Sequence, residues 1–384
     1  MFRALYIHWP FCLKKCPYCD FNSHVRAEVD TAQWQTALIA DMRHEAKASP
    51  GCGPLESVFF GGGTPSLMPP QLVAALLAEA ERLFGFAPDV EITLEANPSS
   101  VEAANFAALA SAGVNRVSLG VQALDDAALR FLGRLHDADE ALVALEIAQK
   151  HFARVSFDLI YARPEQSAAA WQSELTRAIG FGAGHLSLYQ LTIEPGTRFA
   201  TMVRERQFEP LDDDAAADLF ALTRELTSAA GLPAYEVSNH ARPGEESRHN
   251  LAYWRYADYA GIGPGAHGRR GGLATVRHRK PENWLAGIAA HGHGIAETRR
   301  LGVREQASEA MLMGLRLAEG VDLAAIAERF GLTETALVEP RKLAFYAVQG
   351  LVQRNGNRIV VTEAGMPLLD ALLGELVPAE LVAA

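Results

Sequence analysis

The chain has 384 residues, which at about 150 residues per domain bounds it at two or three domains. Hydrophobic residues make up 49% and charged residues 21%, enough for a buried core, so a disordered or fibrous chain is excluded. Lys plus Arg number 35 against 46 Asp plus Glu, a formal net charge of −11, which argues against a general nucleic-acid binder. No apolar run reaches the roughly 18 residues of a transmembrane helix, and no signal-peptide pattern precedes Tyr6-Ile7-His8-Trp9, so a cytoplasmic location is expected.

Six short runs rich in branched and aromatic residues read as strands: Leu5–Trp9, Ser57–Phe60, Glu91–Glu95, Arg116–Val121, Val155–Tyr161 and His185–Leu191. Segments of helical period separate them, such as Leu72–Phe84 with apolar Leu72, Val73, Leu76, Leu77 and Leu83. This alternation predicts right-handed β-α-β units and a parallel sheet. Without a dinucleotide glycine fingerprint, the expected fold is α/β, a partial (β/α)6 barrel over residues 1–240, with a doubly wound sheet as the alternative. Chemistry in such barrels sits at the C-terminal strand ends. Those ends carry Cys12, Cys16 and Cys19, then Gly61-Gly62-Gly63-Thr64-Pro65, then Glu95 and Asn97, Gln122, Asp158, and finally Tyr189 and Gln190. Carboxylates within strands are costly unless paired or bound, so a shared ligand site is expected on that edge.

Asp212–Ala230 reads as an amphipathic helix behind an acidic first turn, and residues 241–300 as a connecting segment rich in Gly, Pro and Arg. In 301–384, helices over Val321–Phe330 and Thr333–Gln349 precede two short strands around Arg354-Asn355-Gly356-Asn357 and a last helix beyond Thr362. That outlines a small winged-helix-like α+β domain, for which the acidic composition favours packing over DNA binding.

Three of the four cysteines share one short loop, a pattern of metal-binding thiols in a reducing compartment, while Cys52 reads as a free loop thiol. Residue chemistry leaves two possibilities. His8 or His24 could complete a Cys₃His zinc site, or the thiols could hold a four-iron cluster with one iron open to an exchangeable ligand. The loop Cys12-x-x-x-Cys16-x-x-Cys19, with Tyr18 before its last cysteine, resembles the radical S-adenosylmethionine (SAM) superfamily. In order with it, Tyr6-Ile7-His8-Trp9-Pro10-Phe11, Gly61-Gly62-Gly63-Thr64-Pro65-Ser66, Glu91-Ile92-Thr93-Leu94-Glu95-Ala96-Asn97-Pro98, Ser118-Leu119-Gly120-Val121-Gln122 and Asp158-Leu159-Ile160-Tyr161 resemble the oxygen-independent coproporphyrinogen III oxidase family over nearly the whole chain. The resemblance implies a [4Fe–4S] cluster on Cys12, Cys16 and Cys19, with SAM on the fourth iron and reductive cleavage to a 5′-deoxyadenosyl radical. It also implies SAM contacts at Tyr6, Tyr18, Gly62, Gly63, Thr64, Glu95, Gln122, Arg134 and Asp158. Glycines would let backbone groups approach the ligand, and Arg134 would pair its carboxylate.

Within that family the chain resembles the heme chaperone branch. The oxidases carry a further cysteine two residues after the cluster, where Asp20-Phe21 follow Cys19 here, and an N-terminal extension before the first strand. His249-Asn250-Leu251-Ala252-Tyr253-Trp254 resembles the HNxxYW signature of the shorter relatives, with His249 and Tyr253 neighbours on a helix. Heme contacts at His249, Asn250, Tyr253 and Trp254 follow as expectations, a packed aromatic helix with a hydrogen-bonded histidine being the alternative. Nearby, Arg269, Arg270, Arg277, Arg279 and Lys280 would suit heme propionates, another anion, or simply solvent. The expected function is a heme chaperone that binds heme, carries the SAM-ligated cluster, and passes heme to an acceptor protein, with no nucleic-acid partner. The alternatives are coproporphyrinogen III oxidation and radical-SAM modification of tRNA.

Overall fold

Eleven strands form the main sheet of the computed structural model, which describes residues 3–26 and 28–382. In chain order they are β1 (Ala4–Trp9), β2 (Leu55–Gly62), β3 (Phe86–Ala96), β4 (Arg116–Gln122), β5 (Arg154–Tyr161), β6 (His185–Gln190), β7 (Asn239–Ala241), β8 (Tyr259–Ile262), β9 (His267–Arg270), β10 (Leu273–Arg277) and β11 (Ile295–Arg300). Their spatial order is β11-β10-β9-β8-β1-β2-β3-β4-β5-β6-β7. Strands β1 to β6 are parallel and adjacent in chain order, each joined to the next by at least one helix. A doubly wound sheet would reverse its order partway, so this is the partial (β/α)6 barrel. The sheet is left open, ended by antiparallel β7 on one edge and by β9 to β11 on the other.

The strands form where expected because both faces are covered. Leu5, Ile7, Val58, Phe60, Leu94, Val117, Leu119, Phe157 and Leu159 are fully or nearly fully buried in one apolar core. Side-chain caps start the crossover helices: Asp30 accepts from the Gln33 backbone, Asp137 from Glu140, Ser167 from Ala170 and Asp212 from Ala215. The stretch 241–300 contributes β8 to β11, with β8 running parallel to β1. Long-range polar contacts hold it there. Buried Arg277 pairs with Asp41 at 2.6 Å and Glu45 at 2.8 Å on the helix Thr31–Ala48, and Arg270 pairs with Glu45 at 2.7 Å.

A second apolar core lies within residues 307–381. There the helices Val303–Gly314, Leu323–Phe330 and Pro340–Val348 pack with a hairpin, Val352–Asn355 and Arg358–Val361, to which Val321–Asp322 adds a third strand. This is the winged-helix outline. The expected continuous helix over Thr333–Gln349 is instead two helices, Glu334–Leu337 and Pro340–Val348. Val338 and Glu339 are extended before Pro340, whose ring disfavours a helical residue ahead of it.

Candidate functional site

At the end of β1 the chain makes a two-residue parallel bridge, Phe11–Cys12 against His24–Val25, which brackets the cysteine loop. The loop is sewn to the end of β2: Gly63 N–H donates to Trp9 O at 2.7 Å and Thr64 N–H to Phe11 O at 2.8 Å. Its glycines are demanded by this closeness. Gly62 has φ +114°, and a Cβ there would lie 2.5 Å from His8; one at Gly63 would lie 2.6 Å from Phe11 O. The positive φ and the His8 ring at Gly62, and the backbone of Pro10 and Phe11 at Gly63, therefore require glycine at these positions before any ligand is considered.

Cys12, Cys16 and Cys19 line one cavity, with Cys12 buried and the other two half-buried. Donors face two of the sulfurs: Thr64 Oγ1 lies 3.4 Å from Cys12 Sγ, and Arg134 Nη1 lies 3.5 Å from Cys16 Sγ. Burial, with the neighbouring thiols adding to it, pushes the Cys12 and Cys19 thiols up. Of the nine expected SAM contacts, Tyr18, Gly62, Gly63, Thr64, Glu95, Gln122, Arg134 and Asp158 line this same cavity. Tyr6 is the exception and faces a different one.

Each of these side chains has a local reason for its position. Gln122 has φ +71° at a register shift between β4 and β5, a bulge that turns the strand end. Arg134 follows Gly133, which has φ +71° and sits so close to Pro17 of the cysteine loop that a Cβ would lie 2.6 Å from it. Arg134 Nη2 donates to Gly120 O at 2.8 Å and contacts Asn97 Oδ1, while its Nε is buried without a partner among the described residues. Burial first, and then the nearby Asp158 carboxylate, push Glu95 up to about 8. Burial likewise raises Asp158 to about 6, against the hydroxyls of Ser187 and Ser118. Ser118 and Asn97 are partners that the expected contact set lacked, although both lie in motifs at strand ends. Short polar side chains there carry no pattern that separates a ligand contact from a strand cap.

The cavity suits the groups that the resemblance implies. Three thiols with donors toward them suit an iron–sulfur cluster, and an arginine with an unpartnered buried donor suits a carboxylate. Neither histidine considered for a zinc site lines the cysteine cavity. His8 has both ring nitrogens engaged, with Tyr6 Oη at 3.0 Å and Asn22 O at 2.9 Å, and His24 Nε2 faces Arg279 O at 3.3 Å. Among the described residues no three His, Cys, Asp or Glu side chains converge as a mononuclear metal site.

The HNxxYW segment forms the helix Arg248–Trp254, whose first turn is anchored at the opposite end of the barrel. Its Arg248 N–H donates at 2.9 Å to Glu91, which also pairs with Arg116 and Arg154, the first residues of β4 and β5. His249 is 4% exposed, its Nδ1 is 3.1 Å from Ser57 Oγ, and its ring stacks on Phe59 at 4.9 Å. Burial lowers His249 to about 3, so the imidazole is neutral. Asn250 Nδ2 reaches Tyr235 Oη at 3.4 Å and Trp254 is half-buried. Of the four residues, Tyr253 lines a second cavity beside the first. This second cavity, of about 460 Å³, is walled by Tyr6, His8, Tyr253, Tyr259, His267 and Arg279. It shares Phe21, Gly62 and Glu95 with the cysteine-loop cavity.

Residues 6–173 match the model of the radical SAM superfamily, and residues 302–368 that of the HemN C-terminal domain. The mitochondrial radical S-adenosyl methionine domain-containing protein 1 of Mus musculus is 39% identical, over 98% of this chain and 87% of that protein. The heme chaperone HemW of Escherichia coli (strain K12) is 37% identical over 96% of this chain and 97% of its own. HemW of Bacillus subtilis (strain 168) is 32% identical over 97% and 100%. The fold matches that of coproporphyrinogen III oxidase (HemN) from Escherichia coli, with a TM-score of 0.82 at 22% identity, over 97% of this chain and 89% of that one.

Proposed function

The chain belongs to the radical SAM superfamily, in the family of the HemW proteins, and from that premise we propose that it is a heme chaperone which binds heme and hands it to an acceptor protein. The family's cofactors are SAM and a [4Fe–4S] cluster. Cys12, Cys16 and Cys19 would hold the cluster, which when bound supplies an electron-donating iron centre with one open coordination position. Arg134 would pair the SAM carboxylate, and Gly62, Gly63 and Thr64 would border its amino-acid portion. Tyr18, Glu95, Gln122 and Asp158 would supply polar contacts to the rest, with Tyr6 packing behind them. Glu95, its carboxyl pushed up to about 8 and so mostly protonated at neutral pH, can donate to a bound ligand, while Asp158, at about 6, can accept.

The observation that carries the chaperone reading is the second cavity. It is large, aromatic-walled and bordered by the HNxxYW helix, and it abuts the cysteine-loop cavity through shared residues. We assign heme to it, with Tyr253 facing the macrocycle and His249 and Asn250 bracing that helix through Ser57 and Tyr235. Residues 1–240, 241–300 and 301–384 are taken as barrel, bordering segment and winged-helix-like domain. No helix of the described residues is long and apolar enough to cross a membrane. We place the protein in the cytoplasm, while relatives such as that of Mus musculus are named mitochondrial. Anaerobically reconstituted protein loaded with hemin, mixed with an apo-hemoprotein, is expected to give up its heme with a spectral shift to the acceptor's band. Vinyl-group formation from coproporphyrinogen III with SAM consumption, and no heme transfer, would overturn the reading in favour of an oxidase.

A further inference from the structure

Two histidines line the second cavity, and they differ in what their ring nitrogens do. His8 is buried and engages both nitrogens, with Tyr6 and Asn22. His267, the exposed first residue of β9, has neither nitrogen in a hydrogen bond among the described residues. A metal ligand needs an accessible imidazole lone pair, and His267 alone on this wall offers one. The signature histidine does not line the cavity: His249 Nδ1 faces Ser57, and its Nε2, without a partner among the described residues, is buried behind the wall.

The basic run divides in the same way. Arg269 lies over the Tyr256 ring at 3.5 Å, Arg270 pairs with Glu45, and Arg277 is buried between Asp41 and Glu45. Arg279 is exposed, lines the cavity, and has no ion pair among the described residues. Its backbone is nonetheless fixed, since Asn22 Nδ2 donates to Arg279 O at 3.0 Å and to Pro264 O at 2.9 Å. Aromatic walls, an available imidazole and an unpaired guanidinium on one cavity match a flat metallo-macrocycle bearing carboxylates.

We propose that His267 is the axial ligand of the bound heme and Arg279 the anchor of a propionate, with His249 supporting Tyr253 from behind the wall. The proposal rests on the heme-chaperone reading and deepens it. The test titrates the full-length, anaerobically reconstituted protein with hemin and reads the Soret band together with the resonance Raman signature of the iron ligand. Hemin is expected to saturate the unmodified protein with a histidine-ligated spectrum. H267A loses that signature and binds about tenfold more weakly, and added imidazole restores the band. H249Q keeps the ligand signature. R279A weakens hemin binding by about tenfold but leaves binding of hemin dimethyl ester unchanged, because the ester has no carboxylate to anchor. Iron content and far-UV circular dichroism of each variant matching the parent guard against misfolding. If H267A keeps the parent spectrum while H249Q loses it, the ligand assignment is overturned and the chaperone reading survives. If the unmodified protein never saturates, the chaperone reading itself falls.

Discussion

The two ends of the barrel are built from the same strands and handle charge in opposite ways. At the N-terminal end, Glu91 on β3 joins Arg116, Arg154 and the first N–H groups of the HNxxYW helix in a closed network. At the C-terminal end, Glu95 lies four residues further along the same strand, beside Asp158, and both carboxyls are pushed up. One end matches each buried charge with a partner. The other leaves carboxylates, thiols and an arginine Nε under-satisfied around a cavity. In barrels of this kind the first pattern belongs to stability and the second to ligand binding.

The largest expected effect breaks the closed end. Glu91→Ala strands a buried Arg116 and should lower the unfolding free energy of the barrel by about 3–5 kcal/mol in urea denaturation. A loss below about 1 kcal/mol would mean that the network is not what holds that end together. Next comes the glycine that closes β2 against the cysteine loop. Gly62→Ala must carry a side chain at φ +114° against His8, which should cost about 3 kcal/mol by the same measurement.

A smaller, pH-dependent effect sharpens the contrast from the ligand end. Glu95 has its folded-state pKa raised to about 8, so its contribution to stability is full below its ordinary value and is lost as pH rises through about 8. Without SAM, Glu95→Gln should therefore gain on the parent between pH 5 and pH 8 by about 2 kcal/mol, the cavity's water screening part of the cost. A pH-independent difference would show that Glu95 is already ionised and paired in the ligand-free fold. The smallest effect on the fold is that of Cys16→Ala. The residue is half-buried in a loop, and the thermal midpoint of the cluster-free protein should barely move. The same variant should lose the cluster's visible absorbance and iron after anaerobic reconstitution. Retained four-iron stoichiometry would exclude Cys16 as a ligand.

Much of the fold was legible because its signals are local. Period, branched residues and turn chemistry put strands at Leu5–Trp9 and Arg116–Val121 within a residue or so of β1 and β4. The motifs at the ends of β1 to β5 came out as one cavity because parallel strands carry their C-terminal ends to one side, whereas Tyr189 and Gln190 at the end of β6 do not line it. Reading failed where a single proline interrupts a periodic stretch, as at Pro340, and where a short polar residue such as Ser118 joins the site without a pattern of its own.

By itself, then, the sequence determined the β-α-β alternation, the thiol loop and the order of the site motifs, all set by spacings of a few residues. Only the tertiary structure decided which members of the basic run are free. Arg277 finds Asp41 and Glu45 more than 230 positions away, and nothing local distinguishes it from Arg279. The burial of His249 is decided in the same way, by Ser57 and Phe59 at the far end of the barrel. Availability for a ligand is what remains after long-range partners have been assigned, and that assignment exists only in the folded chain.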